Sequence, residues 1–467
     1  MSPLSIQPLS PLDGRYREQV AALGEHLSEA GLNRARIHVE VEWLIHLTDH
    51  ELFGARRLSA DEARRLRHLV PDFDDAAIAD LARREAVTRH DVKAVEYYVR
   101  DRLAELGLTE LAELTHFACT SEDINNLAYA LTIRSAIRDV WMPRAREVVD
   151  ALRERAVALR ETPMLAHTHG QPATPTTVGK ELAVTVYRLD RLLASIDEVE
   201  YLGKFSGATG TFSAHLAAEP EYDWITASRE FVTGLGLTWN PLTTQIESHD
   251  WQAQLYQRIA HTGRVLHNLC TDVWTYISMG YFRQIPQEGT TGSSTMPHKI
   301  NPIRFENAEA NLELSAALLD SLATTLVTSR LQRDLTDSST QRNIGVALGH
   351  SVLALDNILK GLGEIAIDED ALARDLDGNW EVLAEAIQTV IRAEVTAGRS
   401  SIADPYALLK DLTRGHRVGG PELRAFVDGL DLPAEAKARL TALSPATYVG
   451  LASRLVDYID TGGAARD

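Results

Sequence analysis

Between positions 292 and 302 the chain reads Gly292-Ser293-Ser294-Thr295-Met296-Pro297-His298-Lys299-Ile300-Asn301-Pro302. Hydroxyls, a cation, an amide and two backbone-restricting prolines fall in one short run of an otherwise helix-like sequence. With Gly289 just upstream, the run reads as a mobile loop feeding a fixed turn. Polar groups gathered this way point to a segment that binds something.

Four other segments concentrate polar side chains. His167-Thr168-His169-Gly170-Gln171-Pro172-Ala173-Thr174-Pro175 reads as an irregular connection rich in glycine and proline. Its two histidines could ligate a metal in extended chain, but no cysteine or acidic cluster completes a set. Thr115-His116-Phe117-Ala118-Cys119-Thr120-Ser121-Glu122-Asp123-Ile124-Asn125-Asn126 begins a helix with unusual polar density. Ser121, Glu122 and Asp123 suit the exposed amides and positive end of that helix, and a helix amino terminus attracts a substrate carboxylate for the same reason. His90-Asp91-Val92-Lys93-Ala94-Val95-Glu96 sets Lys93 and Glu96 three apart, the spacing of a local pair on one helix face. Arg333-Asp334-Leu335-Thr336-Asp337-Ser338-Ser339-Thr340-Gln341-Arg342 offers arginine forks and hydroxyls suited to a phosphate.

Taken together, these segments resemble the signatures of the fumarase/aspartase superfamily, whose members cleave a C–N or C–O bond and release fumarate. The chain is most similar to the adenylosuccinate lyases in their longer bacterial form, from Asp13-Gly14-Arg15-Tyr16 to Thr447-Tyr448-Val449-Gly450. The resemblance implies Ser293 as the base that takes a proton from carbon and His169 as the acid that protonates the departing nitrogen. Glu306 would hold His169 as a cation, and Lys299 would stabilise both the Ser293 alkoxide and the developing carboxylate charge. Thr120, Ser121 and Asn301 would hold the succinyl carboxylates. Arg15, Tyr16, His90, Asp91, Gln245, Arg333, Ser338 and Arg342 would complete the substrate-binding set, with a share in phosphate recognition. His167 has no role in the pattern. Arg89 departs from it, because related bacterial chains often carry Asn there.

The resemblance further implies small nucleotide substrates, no cofactor, no metal, and a homotetramer in which three subunits contribute to each active site. The loop from Pro286 to Ser294 is expected to be mobile without ligand and to close over substrate, with Gly292 as its hinge.

These residues need long elements to hold them. Leu182, Val186, Leu189, Leu193, Ile196 and Val199 recur at spacings of three and four, and Leu255, Ile259, Leu266, Leu269, Val273 and Ile277 repeat the pattern. Similar periodicity runs over 125–159, 307–328 and 343–362, which predicts a bundle. Pro143 should kink or break the first of these three, since it cannot donate to the carbonyl four residues back. Strand signals are weak: Thr243 to Ile246 supports at most a local extended pair. The expected class is all-α, a central long-helix bundle over 116–364 flanked by smaller helical domains at 1–115 and 365–467. After Glu364, short helical segments such as 369–374 alternate with turns expected at Gly378, Pro405, Gly415, Gly419 and Gly420. Thr461-Gly462-Gly463 reads as a frayed tail.

Composition bounds the rest. A chain of 467 residues, 45% hydrophobic, buries a large core in about three domains. A formal charge of −19 argues against a nucleic-acid or anionic-membrane partner, while a small anion remains possible where cations gather. Cys119 and Cys270 are expected as buried free thiols in a reducing, cytoplasmic compartment. Neither an export segment nor a membrane span is indicated.

Overall fold

The apolar stripe Leu182, Val186, Leu189, Leu193 and Ile196 lies on the helix Val178–Asp197, and every member is buried. Residues three or four apart share a face of a 3.6-residue helix, so the stripe becomes the packed side. The other four patterns form the helices Asp250–Ser278, Ile303–Leu326, Ile344–Gly363 and a continuous run from Ser121 to Ala158. The computed structural model describes residues 8–286, 296, 299–413 and 418–459. Over these it is predominantly α-helical, a long central helix bundle with smaller helical regions beside it.

Pro143 interrupts its helix without breaking it. The chain passes from the helix Ser121–Ala136 through a π-helical turn, Ile137–Trp141, into the helix Met142–Ala158. Widening one turn lets the backbone skip the donor that proline lacks. The Trp141 indole, buried beside the turn, donates to Ser351 Oγ at 2.8 Å.

The chain divides into two compact units. The first comprises Met1–Ala145, Leu192–Arg264 and Ala310–Asp356, and the second Arg146–Arg191, Val265–Glu309 and Asn357–Asp467. In the first unit the helix Glu29–Asp49 buries Ile37, Val41, Trp43 and Leu44. Full burial of a side chain of this size contributes about 1.5–3 kcal/mol. Trp43 packs on Phe205 and Phe231 with ring centroids 4.4 and 5.0 Å apart, which anchors the loop after the short strand Leu202–Gly203.

In the second unit the connection after Ala158 is more ordered than its composition suggests. Pro163–Met164 pairs antiparallel with Thr176–Thr177, and inside that pair His167–Thr168 pairs with Gln171–Pro172. Phe282–Gln284 also pairs with Ile365–Ile367. Such strands carry no periodic signature because they are only two or three residues long. Thr243 to Ile246 lies outside any strand, whereas Thr238–Trp239 pairs with Leu202–Gly203. Toward the carboxy terminus Leu383, Ile387, Ile391, Leu423, Val427 and Leu440 form an apolar cluster. Pro405 and Gly420, expected in turns, instead open the helices Pro405–Thr413 and Gly420–Gly429. A first helical turn has no intrahelical use for its N–H groups, so proline is tolerated there.

Cys119 and Cys270 are both free; Cys270 is buried, while Cys119 is only partly so. No helix among the described residues is long and apolar enough to cross a membrane. Gly415 and the segment Thr461-Gly462-Gly463 lie outside the described residues.

Candidate active site

Thr120 and Ser121 sit half-buried where the helix Ser121–Ala136 begins, with Thr120 as its N-cap. The capping carboxylate belongs to Asp123 alone, which accepts from the Thr120 N–H at 2.9 Å. Glu122 is turned to another task, described below. The Asp123 N–H is taken by the Thr120 carbonyl at 2.9 Å, but the Ser121 hydroxyl has no hydrogen bond among the described residues, so it and the Ser121 and Glu122 amides can receive a carboxylate.

Asp123 also receives the N–H groups of Ser206 at 2.9 Å and Gly207 at 3.1 Å. The Lys204 ammonium lies 2.8 Å away, and both side chains are fully buried. Asn126 closes the clamp by accepting from Lys204 N at 2.8 Å and donating to its carbonyl at 2.9 Å. The start of the site helix is thus tied to the 204–210 loop. That loop comes close to a second one: at Gly210, with φ +76, an added Cβ would lie 2.3 Å from the Thr243 carbonyl. Only glycine allows the approach that brings Gln245 Nε2 to the Ala208 carbonyl at 2.9 Å.

The segment before Thr120 is strained. His116 and Ala118 adopt φ of +58 and +55, a conformation costly for residues with a Cβ. Glu40, fully buried, holds His116 through the ring nitrogen at 2.6 Å and the backbone N–H at 3.0 Å. Burial opposes the His116 cation, yet Glu40, with Glu96 and Asp123 nearby, raises its pKa above the ordinary value of 6.5.

Arginines and carboxylates join most of the remaining first-unit residues. Glu122, 3% exposed, takes Arg333 Nη1 at 2.7 Å and Asn125 Nδ2 at 2.8 Å. Arg333 Nη1 also reaches Gln245 Oε1 at 3.4 Å. Asn125 in turn accepts from Arg36 Nε at 2.9 Å, and Arg36 Nη2 donates to Asp91 at 2.8 Å. Arg342 approaches the same Asp91 oxygen at 3.0 Å and takes Glu29 as a second partner at 2.5 Å. Burial pushes the Asp91 carboxyl up, but Arg36, the Val92 N–H and Arg342 hold it below its usual 3.8. The structure therefore brings Asp91, Gln245, Arg333 and Arg342 into one connected network.

Other predicted residues make contacts of their own. His90 is exposed and caps the helix Asp91–Glu105, its Nδ1 accepting from Lys93 N at 3.2 Å. Lys93 pairs with Glu96 at 2.8 Å, as their spacing implies. Ser338 donates its N–H to Asp337 Oδ1 at 2.7 Å. Arg15 is exposed in the turn before Arg17–Leu27, its guanidinium 5.8 Å from the Tyr16 ring centroid. Arg89 adopts φ +50 at the end of the helix Asp75–Thr88, a left-handed position that asparagine or glycine fills at lower cost.

In the second unit His169 and Gly170 form the tip of the nested hairpin with φ of +54 and +72, and the His169 ring is exposed. Glu306 lies in the first turn of the helix Ile303–Leu326, and its Oε1 accepts from the Trp274 indole at 3.2 Å. Within this single chain no hydrogen bond or ion pair among the described residues joins Glu306 to His169. Lys299 is exposed and Asn301 half-buried in the turn entering that helix. Ser293, like Gly289 and Gly292, lies outside the described residues. Among the described residues no group of three or more His, Cys, Asp or Glu is arranged to hold a metal ion.

Sequence reasoning missed Lys204, Arg36 and Glu40. Their signal is a charged residue within an apolar stretch, as in Gly203-Lys204-Phe205, but the partners are far off in the chain. Asn125, Asn126 and Asp337 stood inside recognised motifs without a role, and Glu122 with one only at the helix start.

A family model described as Lyase matches residues 14–314, and one described as Adenylosuccinate lyase C-terminal matches residues 329–449. The adenylosuccinate lyase of Escherichia coli strain K12 is 48% identical over 457 residues, covering 97% of this chain and 99% of that protein. The Vibrio cholerae adenylosuccinate lyase is 46% identical over 458 residues, with 97% and 99% covered. Among solved structures, fumarate lyase from Mesorhizobium sp. BNC1 superposes with a TM-score of 0.73 at 20% identity, over 95% of this chain and 98% of that one. The 3-carboxy-cis,cis-muconate lactonizing enzyme from Pseudomonas putida gives 0.71 at 22%, over 95% and 96%. The structural matches establish the helical fold, and the close relatives fix the branch: this chain belongs to the adenylosuccinate lyase family of the fumarase/aspartase superfamily.

Proposed function

We propose that this chain eliminates fumarate from adenylosuccinate, leaving AMP, and from succinylaminoimidazole carboxamide ribotide in purine biosynthesis. The observation that carries the reading is near-half identity to an adenylosuccinate lyase over almost the entire chain.

The chemistry sets clear demands. A proton must leave a carbon beside a carboxylate, a C=C bond forms, and the C–N bond breaks with its electrons on nitrogen. Ser293 takes the proton, after Lys299 has stabilised its alkoxide. The intermediate gathers two negative charges on one carboxylate, met by Lys299, Asn301, Thr120, Ser121 and the amides of the Ser121–Ala136 helix start. His169 delivers the proton that nitrogen needs, held as a cation by Glu306. Arg15, Tyr16, His90, Asp91, Gln245, Arg333, Ser338 and Arg342 bind the nucleotide. Arg342 is matched to Glu29 and Asp91, so a phosphate must compete with those carboxylates. The exposed turn positions of His169 and Lys299 suit groups that complete their surroundings on assembly.

We place the enzyme in the cytoplasm as a homotetramer, with three subunits contributing to each site and no cofactor. Val184, Tyr187, Trp274 and Leu314 are large apolar side chains left exposed on the long helices, which suits burial against other copies. The test is fumarate release by purified protein from both purine substrates, with argininosuccinate and aspartate alongside. Fumarate from either of the latter alone would overturn the purine assignment.

A further inference from the structure

We propose that His249 is a positioning residue for this reaction, acting through Asp337 to hold the Arg333 and Ser338 segment against the arm that carries Gln245. The inference rests on the functional reading above. Its starting point is a pair of buried polar atoms left unmatched: His249 Nε2 and Asp337 Oδ2 have no hydrogen-bond partner among the described residues, yet stand 3.5 Å apart. Their side chains are only 1% and 9% exposed. Unmatched polar atoms are rare in interiors because each forfeits its bonds to water, and two facing one another mark a contact short of closure.

His249 is held there at a cost. Its φ of +61 is left-handed, and the buried Glu247 carboxylate keeps it so by accepting the His249 N–H at 2.9 Å. Glu247 is itself fixed by Asn240 at 3.0 Å. Gln252 Nε2 lies 3.4 Å from His249 Nδ1, and an amide donating there assigns a ring proton to Nε2, the nitrogen that stands 3.5 Å from Asp337 Oδ2. On the other side, Asp337 Oδ1 accepts the Ser338 N–H at 2.7 Å and lies 3.7 Å from Arg333 Nη2. Asp337 thus stands between the imidazole and two substrate-binding residues. Gln245, four residues before His249, touches the same Arg333. When an anionic nucleotide engages Arg333 and Ser338, closing the His249 to Asp337 contact fixes their positions.

The test compares His249→Leu, which fills the space without a donor, with His249→Gln, which restores an N–H at similar reach. Both carry the same backbone strain, so strain cancels between them. His249→Leu should raise KM for adenylosuccinate about tenfold while kcat changes less than about threefold, and His249→Gln should recover most of the KM. Asp337→Asn, which keeps the shape, should raise KM likewise, and combining it with His249→Leu should add little. If His249→Leu does not fold, Asp337→Asn carries the same decision. An unchanged KM, a loss confined to kcat, or a Gln variant as impaired as Leu would each overturn the inference. An active wild type with any of those results leaves the functional reading intact, whereas a wild type silent on both purine substrates defeats both.

Discussion

Lys204→Met is the sharpest probe of how the site helix is anchored. Lys204 Nζ and Asp123 Oδ1 are 2.8 Å apart with both side chains at 0% exposure. At an effective dielectric near 20 their attraction is about 6 kcal/mol, much of it offset by the cost of burying two charges. Removing one partner of such a pair typically costs about 3–5 kcal/mol. Asp123 keeps three N–H donors, from Thr120, Ser206 and Gly207, so the low end, about 3 kcal/mol, is expected. The double variant Lys204→Met with Asp123→Leu separates this arrangement from a simple ion pair. Replacing a simple pair with apolar residues is often neutral, but here two buried N–H groups and one half-buried one would lose their acceptor, at about 1–3 kcal/mol for each buried group. The double variant should therefore stay at least about 2 kcal/mol below wild type. Because two units need not unfold in one step, the readout is native-state amide exchange over 121–126 and 203–207, with kcat/KM for adenylosuccinate beside it. A double variant with wild-type protection and activity would refute the reasoning.

Ser293→Ala and His169→Asn should each lower turnover at least about 100-fold in folded protein, since each removes a proton-transfer group. Asparagine is chosen at 169 because it accepts the left-handed backbone there; near-normal rates would remove the residue from its role. Mixing those two inactive proteins under subunit exchange should restore part of the activity, and failure in demonstrated hybrids would favour sites built within one chain. Arg89→Gly should raise the thermal midpoint, reflecting about 0.5–1 kcal/mol of relieved backbone strain, and an unchanged or lower midpoint would count against it. Two groups give opposite pH signs. Asp91, depressed below 3.8, stabilises the fold above that value and ceases to as pH falls through its folded pKa, so Asp91→Asn should lose its deficit in acid. His116, raised above 6.5, stabilises below that value and ceases to as pH rises through its folded pKa, so the deficit of His116→Gln should shrink on the alkaline side. Unfolding midpoints of each variant and wild type across pH check both signs.

The sequence by itself determined the helices and the chemical inventory. Stripes such as Leu182 to Ile196 are local and repeated, so they specify which face is buried whatever the partner turns out to be. The dense polar runs around Thr120, His169, Lys299 and Arg333 likewise declare their residue types directly. Tertiary structure decided the geometry that makes those residues usable. The hairpin that presents His169 depends on pairings such as Pro163 with Thr177, too short to leave a periodic trace. Lys204 meets Asp123 from 81 positions further along the chain, and Arg36 joins Asn125, Asp91 and, through that shared carboxylate, Arg342. Such contacts follow from which apolar faces pack together. A one-dimensional reading therefore finds the groups, while folding selects the carboxylate each cation meets and the loops each helix start holds.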